Sequence, residues 1–414
     1  MTSTGSLHEP AGRWRQLALI SFGLLAAMSP SFAASSVAPS LRAEWAMDGL
    51  GLPILTIAVL VGFAVAAIAL SAVGAPDVIP GPRLFALGAL GAGIANLGFA
   101  FVATDLTSAL PFRVLTGAAQ AAAYPVALKI VAGWFRRDRG LATGTIIGAL
   151  TLGTALPLLF RSIGLTAGLD WRVVIGFASV VCVMGAAIVA VGVRTGPYDT
   201  PSPRFSIRIA ARAFAQPAVR LANAGYLGHM WELFAMWTWV PLFLVASFAA
   251  AGVHDAAVAS LAAFIVVAAG AVGCVIAGAI ADRVGRTSTT MVAMALSGTC
   301  AVAVAFAFGA PPILVMALAL VWGITVIADS AQFSAAVSEL APPGTAGSAL
   351  SMQTAVGFVF TSVTILLIGV LDPVDAAGWR VAFALLAVGP AVGIVAMWRL
   401  RRRPEAVLMA SGNR

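Results

Sequence analysis

The chain has 414 residues, of which 61% are apolar and only 10% are charged, and its formal net charge is +8. A soluble domain averages about 25% charged residues, so this composition excludes a soluble globular protein. Apolar runs of about 20 residues have the length at which an α-helix crosses a bilayer, and such runs fill most of the chain.

Twelve apolar runs follow one another and predict twelve transmembrane helices. Glycine and proline occur inside several of them, which membrane helices tolerate. The runs cover residues 17–39, 50–72, 84–104, 107–132, 140–160, 173–193, 219–247, 256–281, 288–308, 312–334, 348–371 and 379–399.

The first run also resembles a secretory signal. Arg13 and Arg15 precede it, and Ser31-Phe32-Ala33 resembles a cleavage site. Cleavage would leave eleven spans and break the pairing of the two halves of the chain. We therefore expect an uncleaved first helix.

Ionisable residues inside the spans are few, and each one costs about 2.5–3.5 kcal/mol at mid-membrane on insertion scales. Arg113 lies in the fourth span, His229 and Glu232 lie in the seventh, and Asp329 lies in the tenth. Because exposure of such groups to lipid is costly, we expect them to face the protein interior. They are the first candidates for functional residues.

Helical spacing places further polar and aromatic side chains on the same helix faces. Three spans therefore each present one polar face, and we expect these faces to line a central cavity. The predicted cavity residues are Arg113, Gln120, Tyr124, His229, Trp239, Trp322 and Gln332.

Chemical roles follow from the residue types. A carboxyl group away from water is costly to ionise, so Glu232 or Asp329 could carry a coupling proton, which His229 could share. Arg113 could bind an anionic group of a substrate or hold a carboxylate ionised. The alternative for each residue is a structural ion pair or a hydrogen bond between helices.

The longest internal hydrophilic stretch, residues 194–218, separates the sixth and seventh spans. It divides the chain into an N-terminal bundle of six helices (1–193), a linker (194–218) and a C-terminal bundle with a short tail (219–414). Arginines at 208, 212 and 220 allow part of the linker to form an amphipathic helix on the membrane. A simply solvated linker is the alternative.

The two halves resemble each other. Asp170-Trp171-Arg172 opens the sixth span and Gly378-Trp379-Arg380 opens the twelfth, an offset of 208 positions from 171 to 379. Asp77 and Asp282 lie in hydrophilic breaks 205 positions apart. A repeat of this size in a membrane chain indicates two homologous bundles with a site between them.

Charge placement sets the orientation, because lysine and arginine collect in cytoplasmic loops. With a cytoplasmic N-terminus, only Arg42, Arg161, Arg172 and Arg380 fall on the other side. The net positive charge thus reflects topology and gives no reason to expect nucleic acid. Both termini are expected in the cytoplasm. The basic residues on that side are Arg13, Arg15, Arg83, Lys129, Arg136, Arg137, Arg139, Arg194, Arg204, Arg208, Arg212, Arg220, Arg283, Arg286, Arg399, Arg401, Arg402, Arg403 and Arg414.

Two short motifs resemble those of the major facilitator superfamily of secondary transporters. The loop after the eighth span contains Gly278, then Asp282-Arg283, then Gly285-Arg286, and the fourth span contains Arg113 followed by Gly117. The resemblance extends over nearly the whole chain and is loosely closest to the bacterial nitrate, nitrite and cyanate porters. Nitrate itself is not supported, because the arginines that nitrate porters carry in the second and eighth spans are missing.

The resemblance implies an all-α membrane fold of two pseudo-symmetric six-helix bundles, with the first, fourth, seventh and tenth spans around a central cavity. It also implies a cytoplasmic gate at Asp77, Asp282, Arg283 and Arg286. The first-half loop lacks an arginine beside Asp77, which departs from the family pattern. The alternative for these charges is that they only enforce topology.

We interpret the chain as a monomeric secondary transporter of the bacterial inner membrane that moves a small organic solute by alternating access, coupled to protons. An organic anion is one candidate solute, and the direction of transport stays open. The alternatives are a drug or metabolite efflux antiporter and, from a different class, a membrane receptor or enzyme. No nucleophile motif, metal cluster or ATP-binding loop stands out, so we expect no enzyme, cofactor or metal site.

Overall fold

The structure, a computed structural model, describes residues 10–201 and 204–413, and these residues form helices without a β-strand. The predicted all-helical fold is confirmed, and the twelve membrane-spanning elements are called spans 1–12. Within the described ranges, eleven helical segments are long and apolar enough to cross a membrane; span 1 is built from shorter pieces. The bounds are Arg13–Met28, Ala33–Ser36 and Ala38–Glu44 (span 1), Gly51–Val73 (2), Gly81–Phe101 (3), Leu106–Gln120 and Tyr124–Trp134 (4), Arg139–Thr166 (5), Trp171–Gly192 (6), Pro217–Ala250 (7), Ala256–Val284 (8), Arg286–Phe306 (9), Pro312–Thr325 and Ser330–Leu340 (10), Ala346–Leu371 (11), and Ala376–Leu386 and Val388–Arg401 (12).

Span 1 is interrupted where the sequence predicted one continuous helix over 17–39. Its first segment ends at Met28, and helix resumes at Ala33. Pro30 explains the break, because proline has no N–H to donate and its ring clashes with the preceding turn. The hydroxyl of Ser29 bonds instead to the carbonyls of Ala26 and Ala178, at 2.8 and 2.7 Å.

Spans 4 and 10 are also broken, and at equivalent positions. Their first segments end at Gln120 and Thr325, which are 205 positions apart, and their second segments begin at Tyr124 and Ser330. The repeat seen in the sequence therefore extends to the irregular backbone of the two halves. Such irregular backbone is tolerated at membrane depth only where protein or a cavity surrounds it.

Glycines bring equivalent helices into close contact in both halves. A Cβ placed on Gly117 of span 4 would lie 1.9 Å from the carbonyl oxygen of Val59 in span 2. A Cβ on Gly323 of span 10 would lie 1.9 Å from the carbonyl oxygen of Val266 in span 8. Small residues of this kind let the backbones of membrane helices approach closely.

The start of span 1 and the end of span 12 lie on one side of the bundle, here called the terminal side, and the opposite side is called the far side. Arg13 at the start of span 1 bonds to Asp138, between spans 4 and 5, at 3.1 Å. Near the other end, Asn413 donates to the carbonyl of Asp282 at 2.9 Å. These contacts join each chain end to a loop on the same side.

The two halves meet on both sides of the membrane. On the terminal side spans 5 and 8 cross closely, and a Cβ on Gly140 would lie 2.6 Å from the carbonyl oxygen of Gly278. On the far side Arg42 of span 1 forms an ion pair with Asp372, after span 11, at 3.3 Å. Any opening on one side must therefore separate contacts that are made in this structure.

The segment between spans 6 and 7 contains a helix at Ile207–Ala215, in the stretch where the sequence allowed an amphipathic one. Ser206 caps this helix by accepting a hydrogen bond from the backbone N–H of Ile209, as serine commonly does at such ends. The backbone N–H of Ser206 also donates to Ser348 of span 11 at 3.2 Å. The backbone N–H of Phe205 donates to the carbonyl of Ser71 in span 2 at 3.1 Å, so the segment is attached to both halves.

The glycine contacts lead to a stability prediction. Gly117→Ala and Gly323→Ala should each destabilise the protein by about 1–3 kcal/mol, because the added methyl group overlaps a backbone carbonyl. Gly176→Ala in span 6 is the matched control, since its Cβ would lie 3.6 Å from the Phe101 ring. The measurement is the apparent Tm in detergent, and equal Tm values for all three variants would contradict the prediction.

Candidate functional site

A central cavity of about 90 Å³ lies between the two halves. Seven spans line it: 1, 2, 4 and 5 from the first half and 7, 10 and 11 from the second. Its lining residues are Met28, Ser31, Phe32, Thr56, Val59, Leu60, Phe63, Gln120, Tyr124, Ile147, Leu150, Thr154, Tyr226, Met230, Leu233, Phe234, Trp237, Ile327, Ser330, Ser334, Thr354 and Phe358.

Aromatic rings from both halves meet at the cavity wall. Phe32 of span 1 stacks on Phe234 of span 7 with centroids 5.9 Å apart and meets Trp237 edge-on at 5.6 Å. Phe63 of span 2 meets Phe358 of span 11 at 4.8 Å. These contacts link the halves through the site itself.

A second cavity, of about 280 Å³, adjoins the central one and is called the vestibule. The two cavities share Tyr124, Ser334 and Thr354 as lining residues. Lys129 of span 4 lines the vestibule and forms an ion pair with Asp77, in the loop between spans 2 and 3. Because that loop lies on the terminal side, the vestibule extends from the central cavity toward that side.

Arg113 is fully buried but is not among the residues that line the central cavity. Its guanidinium donates to the carbonyls of Pro30 and Ser31, at 3.0 and 2.6 Å, and to the side chain of Asn96 at 3.1 Å. Both carbonyls belong to the break in span 1, and that of Pro30 also accepts from the backbone N–H of Ala33 at 3.3 Å. Arg113 therefore holds the interrupted backbone of span 1.

Gln120 and Tyr124 are the two predicted cavity residues that the structure places in the lining. Gln120 also bridges to span 1: it donates to the carbonyl of Ala27 at 2.9 Å and accepts from the hydroxyl of Ser31 at 3.1 Å. The break in span 1 is thus fastened to span 4 by both Arg113 and Gln120.

His229 and Asp329 form a buried pair within the second half. Nδ1 of His229 lies 2.8 Å from Oδ1 of Asp329, and both side chains are almost completely buried. Asp329 sits in the break of span 10, next to Ser330, which lines the cavity. The pair therefore lies directly behind the cavity wall.

Glu232 lies one helical turn from His229 and also away from the cavity. Its carboxylate accepts from the hydroxyl of Ser297 in span 9 at 2.8 Å and from the indole N–H of Trp322 in span 10 at 2.7 Å. Glu232, His229 and Asp329 thus form a titratable cluster that connects spans 7, 9 and 10.

Span 7 explains why most predicted cavity residues are elsewhere. The sequence grouped His229, Glu232 and Trp239 on one face and predicted that this face lines the cavity. In the structure a different set on span 7, including Met230, Leu233 and Trp237, lines it. The polar face turns toward spans 9 and 10, because those helices supply the hydrogen-bond partners that a buried polar group requires.

The remaining predicted cavity residues also lie outside the lining. Trp322 bonds to Glu232, and Trp239 borders a groove on the far side beside Arg42 and Asp372. Gln332 lies on the terminal side, where it accepts from Arg286 at 2.7 Å. The sequence spacing identified buried polar faces but not which neighbour each face meets.

The loop motif after span 8 forms a charge network on the terminal side. Arg286 bonds to both carboxylate oxygens of Glu339 in span 10, at 2.9 and 2.7 Å, and lies 3.3 Å from Asp282. A Cβ on Gly140 would lie 2.9 Å from Oδ2 of Asp282, so this carboxylate abuts the first turn of span 5. A helix N-terminus favours a negative charge at such a place. Arg283 of the same motif is exposed.

Several cavity residues gave no functional signal in the sequence. Phe63 and Phe358 are indistinguishable from other apolar residues of their helices, and Ser330, Ser334 and Thr354 are small hydroxyl residues that membrane helices commonly contain. Phe234 and Trp237 belong to a run of closely spaced aromatic residues in span 7. In the same run, Trp231 bonds to the carbonyl of Leu385 instead.

A family model of the Major Facilitator Superfamily matches residues 17–365. The MFS transporter asaE of Aspergillus flavus is 26% identical over 225 residues, which are 54% of this chain and 49% of that protein. The match thus spans about half the length of this curated relative.

Solved structures show the same fold. A D-xylose-proton symporter superposes with a TM-score of 0.74 at 15% identity, over 94% of this chain and 98% of the other. A bacterial homologue of the human lysosomal transporter Spinster, inward-facing and unoccupied, gives 0.70 at 14% identity, over 95% and 97%. The xylose transporter XylE from E. coli, partially occluded and inward open, gives 0.72 at 13% identity, over 94% and 99%.

The position of Arg113 generates a prediction. Arg113→Ala should lower the apparent Tm, because it removes the side-chain donors to the carbonyls of Pro30 and Ser31 and to Asn96, and a buried polar group left without a partner costs about 1–3 kcal/mol. Arg113→Lys should recover part of the loss, since lysine keeps the charge but lacks the planar fork that serves two carbonyls at once. The measurement is thermal unfolding of the purified protein.

Arg83→Ala, at an exposed position in span 3, is the control for removal of an arginine. An Arg113→Ala variant with the Tm of this control would show that the bonds to Pro30 and Ser31 contribute little to stability.

Proposed function

Because the chain belongs to the Major Facilitator Superfamily of transporters, we propose that it moves a small organic solute across the membrane by alternating access and couples this movement to protons. The observation that carries the proposal is the titratable cluster of His229, Glu232 and Asp329, which is buried directly behind the cavity wall. Each ionisable group inside a membrane is costly, so the presence of three such groups together favours a functional role.

Alternating access requires that the halves separate on one side at a time. The contacts between spans 5 and 8 on the terminal side and the Arg42–Asp372 pair on the far side are the two closures. The terminal-side gate consists of Asp282 and Arg286, with the Asp77–Lys129 pair beside the vestibule. Arg283 is exposed and acts there through its charge alone.

The coupling step assigns a proton to the cluster. Spans 7 and 10 each have some side chains that line the cavity and others that belong to the cluster. A proton bound by Glu232 or Asp329 therefore changes the packing between two helices that also contact the solute. A proton on His229 would strengthen its attraction to Asp329, and loss of that proton would weaken it. The two spans thereby transmit the proton's effect to the cavity wall.

An efflux antiporter of drugs or metabolites is the second candidate. The observation in its favour is the largely apolar cavity lining, which suits varied hydrophobic compounds. The same cluster would then exchange protons for the solute. Accumulation inside or expulsion from vesicles under one imposed pH gradient distinguishes uptake from efflux.

The proposed location is the inner membrane of a bacterium, with the terminal side in the cytoplasm and the protein acting as a monomer. The support is the positive-inside rule, because the loops on the terminal side carry most of the basic residues. The proposed units are residues 1–193 and 219–414, joined by the linker 194–218.

Glu232→Gln should abolish solute accumulation driven by an imposed pH gradient and leave solute exchange intact, since the amide keeps the shape but cannot take up a proton. A thermal-shift screen of charged and uncharged organic compounds first identifies a solute, and proteoliposome flux is then measured. Glu405→Gln is the control, because Glu405 lies in the C-terminal 3-10 helix outside the spans. Full proton-driven accumulation by Glu232→Gln would remove this residue from the mechanism.

Orientation is tested by cysteine labelling in intact cells. A cysteine at Ser206 should resist a membrane-impermeant maleimide, whereas one at Ala257, at the far-side start of span 8, should react. The native cysteines Cys182, Cys274 and Cys300 are buried and should give little background. The reverse labelling pattern would invert the proposed topology.

A further inference from the structure

We propose that the central cavity takes an uncharged organic solute with an aromatic ring or similar apolar body and a hydrogen-bond acceptor. This substrate class rests on the proposed function in one respect: the bound ligand is a substrate only if the protein transports it. It replaces the organic anion that the sequence suggested.

Among the described residues, none that lines the central cavity carries a formal charge; the polar side-chain groups of the lining residues are hydroxyls, the amide of Gln120 and the indole N–H of Trp237. An ion taken into such a site would lose its hydration without meeting an opposite charge, which is strongly unfavourable. Selectivity against ions therefore follows from the lining itself.

The charged side chains near the cavity already have partners. Arg113, the residue best suited to bind an anion, is held by two carbonyls of span 1 and by Asn96. Asp329 faces His229, and Glu232 accepts two hydrogen bonds from Ser297 and Trp322. None of these groups is among the cavity-lining residues, so they are not positioned to neutralise a charged solute.

The cavity is small, and aromatic rings form much of its wall. Phe32, Phe234 and Trp237 meet each other at centroid distances of 5.3 to 5.9 Å, and Phe358 lies 5.2 Å from Phe234. Aromatic rings favour a further ring placed edge-on or offset against them. A cavity of about 90 Å³ limits the enclosed part of the solute to a small body.

One donor of the cavity wall has no partner. The indole N–H of Trp237, a residue that is 3% exposed and lines the cavity, has no hydrogen-bond partner within the described structure. A buried donor without a partner is costly. The nitrogen itself is covered in this structure, so the indole must shift for a carbonyl or hydroxyl oxygen of the solute to reach it and satisfy it. Cations can also bind aromatic faces, but here the rings pack on one another and no carboxylate lines the site.

Three compounds of nearly equal shape test the proposal: benzamide, benzoate and benzamidinium, which carry charges of about 0, −1 and +1 at neutral pH. Binding to the purified full-length protein in nanodiscs is measured by equilibrium dialysis with no gradient applied. Benzamide should bind saturably, and both ions should bind at least about tenfold more weakly, because the site offers them no counter-charge.

Two variants locate the binding in the cavity. Leu233→Trp should reduce benzamide binding by filling the space, whereas Leu87→Trp, on the exposed surface of span 3, should not. Trp237→Phe should weaken benzamide about two- to tenfold, the effect of one neutral hydrogen bond, and leave toluene, which has no acceptor, unchanged.

A variant that gains a new charge preference distinguishes a change in the site from misfolding. Thr354→Asp places a carboxylate in the lining shared by the cavity and the vestibule, and it should reverse the preference toward benzamidinium. Thr107→Asp, at the far-side start of span 4, should keep the preference for benzamide. A misfolded protein would not acquire a new charge preference.

Three results would overturn the proposal: benzoate or benzamidinium binding as tightly as benzamide, no saturable binding of any of the three compounds, or benzamide binding that Leu233→Trp leaves unchanged. The outcome is separable from that of the proposed function. Binding of benzamide without any proton-driven flux would contradict the transport mechanism alone. Proton-driven flux of an organic anion would contradict only the proposed substrate class.

Discussion

The cost of an unpaired polar group inside a membrane determines much of this structure. Span 1 is broken at Pro30, and Arg113 donates to the carbonyls of Pro30 and Ser31 within the break. The arginine in turn gains the partners that its own burial demands. Glu232 and Asp329 obey the same constraint, since each faces a donor or a basic group on a neighbouring helix. The charged side chains of the spans thus pair with groups inside their own half of the protein.

The central cavity is what this arrangement leaves between the halves. Its lining keeps aromatic rings, methyl groups and hydroxyls, because the ionisable residues turn to partners inside their own half. The separation has a mechanistic consequence. A proton and an uncharged solute would occupy different places and would influence each other through the packing of spans 7 and 10 instead of competing for one group. Coupling of this kind is reciprocal: whatever one ligand does to the affinity for the other, the other does in return.

Close glycine contacts and broken helices provide the mechanical frame. Gly117 and Gly323 let equivalent helix pairs pack at backbone distance in the two halves, and Gly140 meets Gly278 where the halves cross on the terminal side. Packed backbones of this kind form stiff units, whereas the breaks after Gln120 and Thr325 lie at the cavity. Rigid contacts within each half and irregular backbone at the site are suited to movement of one half against the other.

The sequence alone determined the membrane class, the number and order of the spans and the pseudo-repeat, because composition, run length and offset are properties of the chain itself. Spacing along each helix also identified which faces are polar, and every ionisable residue predicted inside the spans is buried. Only the tertiary structure decided where those faces point. Helical periodicity places His229 and Glu232 on one face, but the presence of Ser297, Trp322 and Asp329 on adjacent helices turns that face away from the cavity. The partners that satisfy a buried polar group are distant in sequence, and the residue pattern within a single helix does not identify them.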